Sequence, residues 1–318
     1  MTKTVSIIIP FYGQTESDLA IPLSSINNQV GVDFSKLDVH LVNDGGTPID
    51  LSTFKIFANL DLHYHELPEN VGAGMARQYA IDHSTGEYLM FVDTDDVLSV
   101  TALHLFFSIY KQDNNKQVIL AKYYTESKKN QIYNYTPSDF GDLGALYAKW
   151  FKRDYLEKIG LRFLPELRLF EDSYFVGTAL ILSDNNCGIN NEPLYIYKFR
   201  SNSLSNRDNS EQQKINSINY IVQLRLRLRI IARVKPELFQ FQFNKSLVES
   251  YFWQKKYALD DKLVNAEVKK IISEFKSAFH GYTVELDQLA VANSKGGMYA
   301  GIQTKNFKNF INRLSSGD

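Results

Sequence analysis

The sequence predicts an α/β fold, a mostly parallel sheet with flanking helices, followed by a helical C-terminal region. Short apolar runs of strand length alternate with helix-like segments over about the first 200 residues. Polar residues follow the ends of several of these runs. Beyond Arg207 the apolar spacing is helical, and we therefore predict one domain over residues 1–207 and a second region over 208–318.

Composition limits the class of protein. The chain has 318 residues, of which 44% are hydrophobic, so it is long enough to bury a sizeable core. Its net charge is −1, which gives no electrostatic case for a nucleic-acid partner. A single cysteine, Cys187, excludes an intramolecular disulfide and a cysteine-based zinc site. We expect a reducing, cytoplasmic compartment.

The apolar runs are too short to cross a membrane. Val5–Ile9 is stopped by Pro10, and no other stretch approaches the roughly 18 apolar residues that a span requires. We expect a soluble protein, with peripheral attachment to the inner face of the membrane as the alternative.

The first half of the predicted sheet follows from β-branched or apolar runs that end in polar or turn-forming residues. Helical spacing separates some of these runs. The predicted strands are Val5–Pro10, Val39–Val42, Leu62–Leu67 and Gly86–Val92, and the predicted helices are Glu16–Gln29 and Met75–His83.

The second half of the domain continues the alternation. Gln131–Asp142 has the character of a loop, and residues 145–159 predict a strand that leads into an amphipathic helix. The other predicted elements are helices at Thr101–Tyr110 and Tyr174–Leu182 and strands at Val118–Tyr124 and Leu194–Phe199.

Three long helices and a short final one are predicted in the C-terminal region: Ser210–Ile231, Leu238–Leu259, Lys262–Phe279 and a helix after residue 297. The run Leu224–Ile230 alternates leucine with arginine. One interpretation is that the arginine stems pack on apolar neighbours, and the other is contact with an anionic lipid or a polyanionic acceptor.

The stretch Gly86–Asp96 carries the clearest chemical signal. An apolar run ends in three carboxylates, Asp93, Asp95 and Asp96, which must lie where the strand leaves the core because burial of an unpaired carboxylate is costly. Ligands bind at the carboxyl ends of strands in open α/β sheets. Two carboxylates at this point suit Mg²⁺ or Mn²⁺ carrying a phosphate. The alternative is a solvated acidic turn that caps the next helix.

Polar residues at other predicted strand exits strengthen the first interpretation. Tyr12, Asp44, Asn70 and Asp93 each follow a predicted strand, and four polar loops at one edge of one sheet form a single cleft. A further acidic pair, Glu171–Asp172, opens a predicted helix, where carboxylates also serve as ordinary caps.

Five motifs in this order resemble the glycosyltransferases of family two, which have the GT-A fold. The resemblance covers about the first 200 residues and leaves out the helical C-terminal third. The motifs are Val5–Tyr12, Val42–Gly46, Glu69–Arg77, Phe91–Asp96 and Phe170–Phe175.

This resemblance implies an inverting transferase that uses a nucleotide sugar, most often a UDP-sugar, with Mn²⁺ or Mg²⁺. The resemblance assigns roles by position: Tyr12 beside the base, Asp44 at the uracil edge, Arg77 on the nucleotide, Asp93 near the ribose and the metal, Asp95 on the metal, and Asp172 as the general base with Glu171 beside it. Pro10, Asn70, Gly72, Thr94 and Arg200 complete the expected nucleotide-sugar site.

The sequence departs from the family pattern at three positions. Gly13 and Gln78 stand where the family often has asparagine, and Arg200 lies near the position of a frequent histidine metal ligand. Arginine does not ligate metals, but its guanidinium suits a diphosphate. Trp150 and Tyr174 are candidates for stacking on a sugar or for the core, and the core is the favoured interpretation for Tyr174.

Other functions are weighed against this one. A dinucleotide-binding dehydrogenase is excluded because Gly72-Ala-Gly74 lacks the third glycine of the fingerprint. A sugar nucleotidyltransferase and a non-catalytic glycan-binding protein remain as alternatives. The resemblance implies a glycan or glycolipid acceptor and the building of bacterial surface polysaccharide. The C-terminal helices are expected to bind acceptor or to form a homo-oligomer.

Overall fold

The computed structural model describes residues 3–139, 144–199, 210–259 and 261–315. The chain divides into two compact units, Met1–Ser201 and Asn202–Asp318. The first unit is built on a sheet with helices, and the described part of the second is helical. This architecture confirms the predicted fold class.

Four parallel strands form one half of the sheet in the order β3-β2-β1-β4. These strands are β1 (Val5–Phe11), β2 (Leu37–Asn43), β3 (Leu62–Glu66) and β4 (Tyr88–Phe91). Every residue of β1 and β2 is buried, and β1 accordingly reads as a near-continuous apolar run, whereas β2 also buries Asp38, His40 and Asn43. Their register aligns Phe11 with Asn43, so their carboxyl ends lie at one edge.

The other half of the sheet is mixed. It contains β5 (Val97–Leu98), β6 (Val118–Lys129), β7 (Ile132–Pro137), β8 (Lys149–Lys152) and β9 (Cys187–Tyr197). From β4 the order continues β8-β6-β9-β5, and β7 pairs with β6. β8 is antiparallel to both of its neighbours, whereas β6 and β9 are parallel.

Helices flank this sheet: α1 (Glu16–Asn27), α2 (Ala73–Asp82), α3 (Ala102–Gln112), α4 (Arg153–Ile159) and α5 (Glu171–Leu182). α1 begins with a capping box, in which Thr15 accepts from the backbone N–H of Asp18 and Asp18 accepts from that of Thr15. The predicted helix and strand positions in this unit are largely confirmed.

Two predicted elements differ from the structure. Gln131–Asp142 is not a loop, because β7 spans Ile132–Pro137 and forms a hairpin with β6. Its side chains are all exposed, so the burial signal that marks a strand is missing. β9 begins at Cys187 rather than near Leu194, since its first half has polar, partly exposed residues that hydrophobicity does not reveal.

Both aromatic residues proposed for sugar stacking are in the core. Trp150 is fully buried and stacks on Phe106, with ring centroids 5.1 Å apart. Tyr174 is also buried, which confirms the favoured interpretation for that residue. The stacking role considered for Trp150 is therefore wrong, because its ring has no exposed face.

The second unit contains α6 (Ser210–Val234), α7 (Pro236–Lys256), α8 (Asp261–Glu274), α9 (Val284–Ser294) and α10 (Phe307–Ser315). Pro236 occupies the first turn of α7, where its missing N–H costs nothing. Among the helices of the described residues, none combines the length and apolar character needed to cross a bilayer.

The leucine-arginine run lies in α6, with its leucines buried. Arg225 and Arg229 both pair with Glu274 of α8, at 3.7 and 2.5 Å, and Arg227 donates to Gln223 at 2.7 Å. The buried leucines and these contacts favour a structural role for the run, and they add that Arg225 and Arg229 join α6 to α8.

Candidate active site

The carboxyl ends of β1, β2 and β3 are joined by backbone hydrogen bonds that continue beyond the strands. The N–H of Asp44 donates to the carbonyl of Phe11 at 2.8 Å, and the N–H of Leu67 donates to the carbonyl of Asn43 at 2.9 Å. The loops after these strands therefore leave the sheet side by side. This is the edge at which the sequence predicts a ligand cleft.

Asp44 organises the loop that leads into α2. Its two carboxylate oxygens accept hydrogen bonds from the N–H groups of Val71 and Gly72, at 2.8 and 2.9 Å. The side chain is buried, so these bonds offset the cost of removing its charge from water. Asp44 thus fixes the backbone of the Asn70–Gly72 segment at the edge of the sheet.

Gly45 lets two loops approach each other closely. Its φ is +73°, and a β-carbon there would lie 2.3 Å from the backbone carbon of Glu69. Any other residue would force the loop after β2 away from the loop after β3. The second residue of the Asp-Gly-Gly motif is therefore required by backbone geometry.

Arg77 lies at the centre of the site. This buried guanidinium donates from Nη1 to Asp172 at 2.8 Å and to Glu171 at 3.3 Å, and from Nη2 to Asp93 at 3.0 Å. The contacts join α2 to the loop after β4 and to the first turn of α5. Phe163 lies beneath the guanidinium, with its ring centroid 5.9 Å away.

The two acidic residues of α5 face this guanidinium because of the backbone before the helix. Phe170 has the left-handed conformation, with φ +61°, and ends the preceding segment so that Glu171 and Asp172 form the first helical turn. Asp172 keeps 31% of its side chain exposed, and Asp93 keeps 34%. Both carboxylates thus contact Arg77 on one side and remain open to a ligand on the other.

Electrostatic effects in this cluster act in opposite directions. Burial raises the pKa of Asp172 to about 8, although Arg77 lowers it. Burial also raises the pKa of Glu171. The pKa of Arg77 is raised above its ordinary value, since the three carboxylates outweigh the effect of burial. When all three carboxylates are ionised, one guanidinium leaves an excess of negative charge, which favours a cationic partner.

The loop after β4 turns its acidic residues in different directions. Asp93 and Asp95 are partly exposed, whereas Asp96 is fully buried. Asp96 accepts from the hydroxyl of Tyr195 at 2.7 Å and from the N–H of Lys198 at 2.9 Å. Burial and the nearby Asp93 raise the pKa of Asp96 to about 7. Asp96 therefore anchors the loop, and the other two carboxylates remain accessible.

Sequence reasoning missed the residues that hold this loop. The Tyr195 hydroxyl also accepts from the N–H of Asp93, at 3.1 Å, so one phenol contacts both ends of the acidic motif. Gln78 is one of the three departures from the family pattern. Its side-chain oxygen accepts from the N–H of Phe163 at 3.0 Å. Nothing in the sequence pairs these residues, because they are 85 or more positions apart from their partners.

The remaining predicted site residues lie along the same edge. Tyr12 is 58% exposed just after β1, Pro10 is buried within β1, and Asn70 lies in the loop held by Asp44. Thr94 is buried between Asp93 and Asp95. Arg200 lies outside the described residues. The direct side-chain contacts described above unite Arg77, Asp93, Glu171 and Asp172.

The family model described as "Glycosyl transferase family 2" matches residues 6–175. Among curated proteins, the chain is 29% identical over 199 residues to the poly(ribitol-phosphate) β-N-acetylglucosaminyltransferase TarP of Staphylococcus aureus, covering 58% of this chain and 59% of that protein. It is 24% identical over 227 residues to the glycosyltransferase GlyA of Streptococcus pneumoniae, covering 63% and 31%. The chain thus spans between about one third and three fifths of these relatives.

Solved structures share the fold. S. aureus TarS residues 1–349 in complex with UDP-GlcNAc gives a TM-score of 0.68 at 18% identity, over 98% of this chain and 90% of that one. A Pyrobaculum calidifontis mannosyltransferase in complex with GDP-Man and Mn²⁺ gives a TM-score of 0.52 at 16% identity, over 99% and 86%. The fold likeness to TarS includes the C-terminal helical region, which the sequence motifs do not cover.

Proposed function

Because this chain belongs to glycosyl transferase family 2, we propose that it transfers a sugar from a UDP-sugar to a hydroxyl group of a glycan or glycolipid acceptor. The observation that carries this proposal is the Arg77 cluster, in which one buried guanidinium holds Asp93, Glu171 and Asp172. The family match is to glycosyltransferases, so the nucleotidyltransferase and the glycan-binding alternatives have no corresponding support.

The donor is proposed to be bound by the loops at the carboxyl edge. Tyr12 offers an exposed ring for the uracil, and Asp44 offers carboxylate oxygens beside the Val71–Gly72 backbone. Relatives support the choice of a uridine donor, since TarS is solved with UDP-GlcNAc and TarP is an N-acetylglucosaminyltransferase. We take UDP-GlcNAc as the first donor to test.

A divalent cation fits the residues at this edge. Asp93 and Asp95 offer carboxylate oxygens, the donor type that Mg²⁺ and Mn²⁺ prefer, and both are partly exposed beside an excess of negative charge. When bound there, the ion would stabilise the negative charge on the leaving diphosphate. Arg200, outside the described residues, is proposed to assist by binding the diphosphate.

Asp172 is proposed to be the general base. As the acceptor oxygen bonds to the anomeric carbon, its proton moves to the Asp172 carboxylate and the bond from the anomeric carbon to the diphosphate oxygen breaks. The attack comes from the face opposite the diphosphate, so the configuration inverts. The raised pKa of Asp172, about 8, makes the carboxylate a stronger base than an ordinary aspartate. Arg77 fixes its orientation.

The helical unit is proposed to contribute to acceptor binding or to a homo-oligomer, and the domain boundary near residue 207 stays a prediction. Light scattering on the full chain and on a chain ending at Arg207 tests this proposal, together with acceptor use by both. If the shortened chain keeps the same number of subunits and the same acceptor use as the full chain, the proposal is contradicted.

UDP release tests the proposed activity. UDP-GlcNAc, UDP-glucose, UDP-galactose and GDP-mannose are incubated with the wild type and with Asp95→Ala, with Mn²⁺, with Mg²⁺ and with EDTA. We expect UDP from one uridine donor, lost with EDTA and in Asp95→Ala. The matched control is Asp154→Ala, an exposed aspartate in the first turn of α4. If no nucleotide turns over or changes the melting temperature, the proposed function is wrong.

A further inference from the structure

Four of the six histidines in the chain meet on one face of the sheet, beside β2 and β3. His40 belongs to β2, His63 and His65 belong to β3, and His83 follows α2. The ring of His40 stacks on those of His63 and His65, with centroids 4.8 and 5.2 Å apart, and His65 lies 6.0 Å from His83. Nothing in the proposed transfer reaction uses this cluster.

Asp38 and His40 form an unusual buried pair within the cluster. They are two positions apart in β2 and therefore lie on the same face. Their side chains are 6% and 3% exposed, and Oδ1 of Asp38 lies 3.4 Å from Nε2 of His40. The two atoms are close enough for an ion pair, but neither makes a hydrogen bond of good geometry with any described residue. Leaving two such atoms unsatisfied is costly, so the geometry calls for a group between them.

The other nitrogen of His40 is already engaged. Nδ1 lies 2.9 Å from Nε2 of His65, and which ring donates this hydrogen bond depends on the tautomer. In the tautomer that has the proton on Nδ1 of His40, Nε2 carries a lone pair that can ligate an ion beside Asp38. Metal-ligating histidines typically have this arrangement, in which the second nitrogen is held by a neighbour.

His63 supplies a third ligand atom. One of its ring nitrogens lies within 4.8 Å of the ligand atoms of both Asp38 and His40, and the side chain is 46% exposed. A tetrahedral ion with bonds of about 2.0–2.1 Å holds its ligands about 3.4 Å apart. The pair Asp38–His40 already has this separation. His63 is half exposed on an edge strand, which leaves a path to solvent, and its Nε2 also lies 3.3 Å from Oδ1 of Asp61.

We propose that Asp38, His40 and His63 bind a divalent transition-metal ion of the zinc type, which fastens the edge strand β3 to β2. Two imidazoles and one carboxylate suit Zn²⁺ or Co²⁺, whereas Mg²⁺ and Mn²⁺ prefer oxygen ligands. This site is separate from Asp93 and Asp95. Those residues lie at the carboxyl edge with Asp44, and His40 precedes Asp44 by four residues, about 13 Å along β2. The proposal is independent of the transferase activity.

This ion would also stiffen the donor edge. β3 leads directly into the loop whose Val71 and Gly72 N–H groups hold Asp44. Fixing β3 to β2 restrains both strands that carry this contact.

Metal binding by the full chain tests the proposal. The Asp95→Ala variant, which lacks the expected donor-site ligand, is stripped with EDTA, dialysed and titrated with Zn²⁺ against a chromophoric chelator. We expect one equivalent to bind and to raise the melting temperature. In Asp95→Ala/His63→Gln the affinity falls at least 10-fold, and Zn²⁺ no longer raises the melting temperature. Replacement by Co²⁺ gives the absorption of a tetrahedral imidazole site in the first variant only.

The matched control is Asp95→Ala/His83→Gln, which removes a histidine of the same cluster that is not a proposed ligand. It retains full Zn²⁺ affinity if the proposal is correct. Equal weakening by His83→Gln and His63→Gln, or no Zn²⁺ binding by Asp95→Ala, overturns it. Asp38→Asn is a second ligand variant, and His63→Gln at an exposed position keeps the test valid if Asp38→Asn fails to fold.

Discussion

Buried carboxylates have different partners at the two ends of the parallel strands. At the carboxyl ends, three carboxylates surround Arg77, a cation that the chain itself supplies. Toward the amino ends, Asp38 faces His40 with no hydrogen bond between the two nearest atoms. At the carboxyl end a cation of the chain therefore holds the carboxylates, whereas in the histidine cluster the proposed ion would take that part.

The difference indicates two uses of charge. At the carboxyl end, Asp93 and Asp172 keep about a third of their side chains exposed, so they can act on a ligand while Arg77 fixes them. In the histidine cluster, both atoms of the Asp38–His40 pair are buried, so only a small ion can reach them. One end is organised for turnover, and the other for a bound structural ion.

Replacing Arg77 is expected to have the largest effect. Arg77→Met leaves three carboxylates without their cation, and we expect the free energy of unfolding to fall by about 2–4 kcal/mol, less than for a fully buried pair because two of the carboxylates are partly exposed. UDP release should also be lost. Urea denaturation and the UDP assay measure the two effects.

The control for this change is Arg162→Met, which breaks an exposed pair with Asp82 and should cost about 0.5 kcal/mol or less. If Arg77→Met is as mild as Arg162→Met, the carboxyl end does not depend on a cation of its own.

Asp172→Asn is expected to affect chemistry rather than folding. We predict a fall in kcat of about 10²–10⁴-fold, with UDP binding retained, because the amide cannot accept a proton. The rate of the wild type should rise with pH through the raised pKa of Asp172, about 8, since only the ionised carboxylate is a base. Steady-state kinetics across pH measure both effects. An equal fall in Asp154→Asn, or a rate unchanged in Asp172→Asn, would exclude Asp172 as the base.

Tyr195→Phe should loosen the acidic loop. Its hydroxyl donates to buried Asp96 and accepts from the N–H of Asp93, so its loss should lower the free energy of unfolding by about 1–3 kcal/mol and reduce turnover. Tyr155→Phe is the matched control, because Tyr155 is buried and donates to the carbonyl of Ala179 in α5 at 2.6 Å. Equal loss of turnover in both variants, measured beside urea denaturation, would show a general effect of stability.

The smallest expected effect concerns pH and the histidine cluster. Burial lowers the pKa of His65 to about 4 from the ordinary 6.5, so the unfolded chain binds more protons between these values. The free energy of unfolding should therefore fall as pH drops through this range, by about 1 kcal/mol given the partial exposure of the ring. Urea denaturation in EDTA measures it. His65→Gln should reduce the dependence of the free energy of unfolding on pH, and His280→Gln should leave it unchanged. The reverse result would show that a group other than His65 causes the pH dependence.

Much of the fold was predictable because its strands are buried on both faces. The apolar runs within β1, β2 and β4 predict strands directly, and the carboxylates that follow β2 and β4 indicate the ligand edge. The exposed strand β7 gives no such signal, and its sequence predicts a loop. The histidines were missed for a related reason: the spacings Asp38-x-His40 and His63-x-His65 are visible, but they acquire meaning only when β2 and β3 pair in register.

The sequence by itself determined the order of the elements, the acidic exit of β4 and the resemblance to a transferase family, because these depend on local periodicity and on motifs a few residues long. Only the tertiary structure decided that Arg77 joins residues 16 and 95 positions away, and that Trp150 is core. It also decided that Asp96 turns inward to Tyr195 while its neighbours stay accessible. The reason is physical: burial and ion pairing depend on which strands and helices lie side by side, and chain position does not encode that directly.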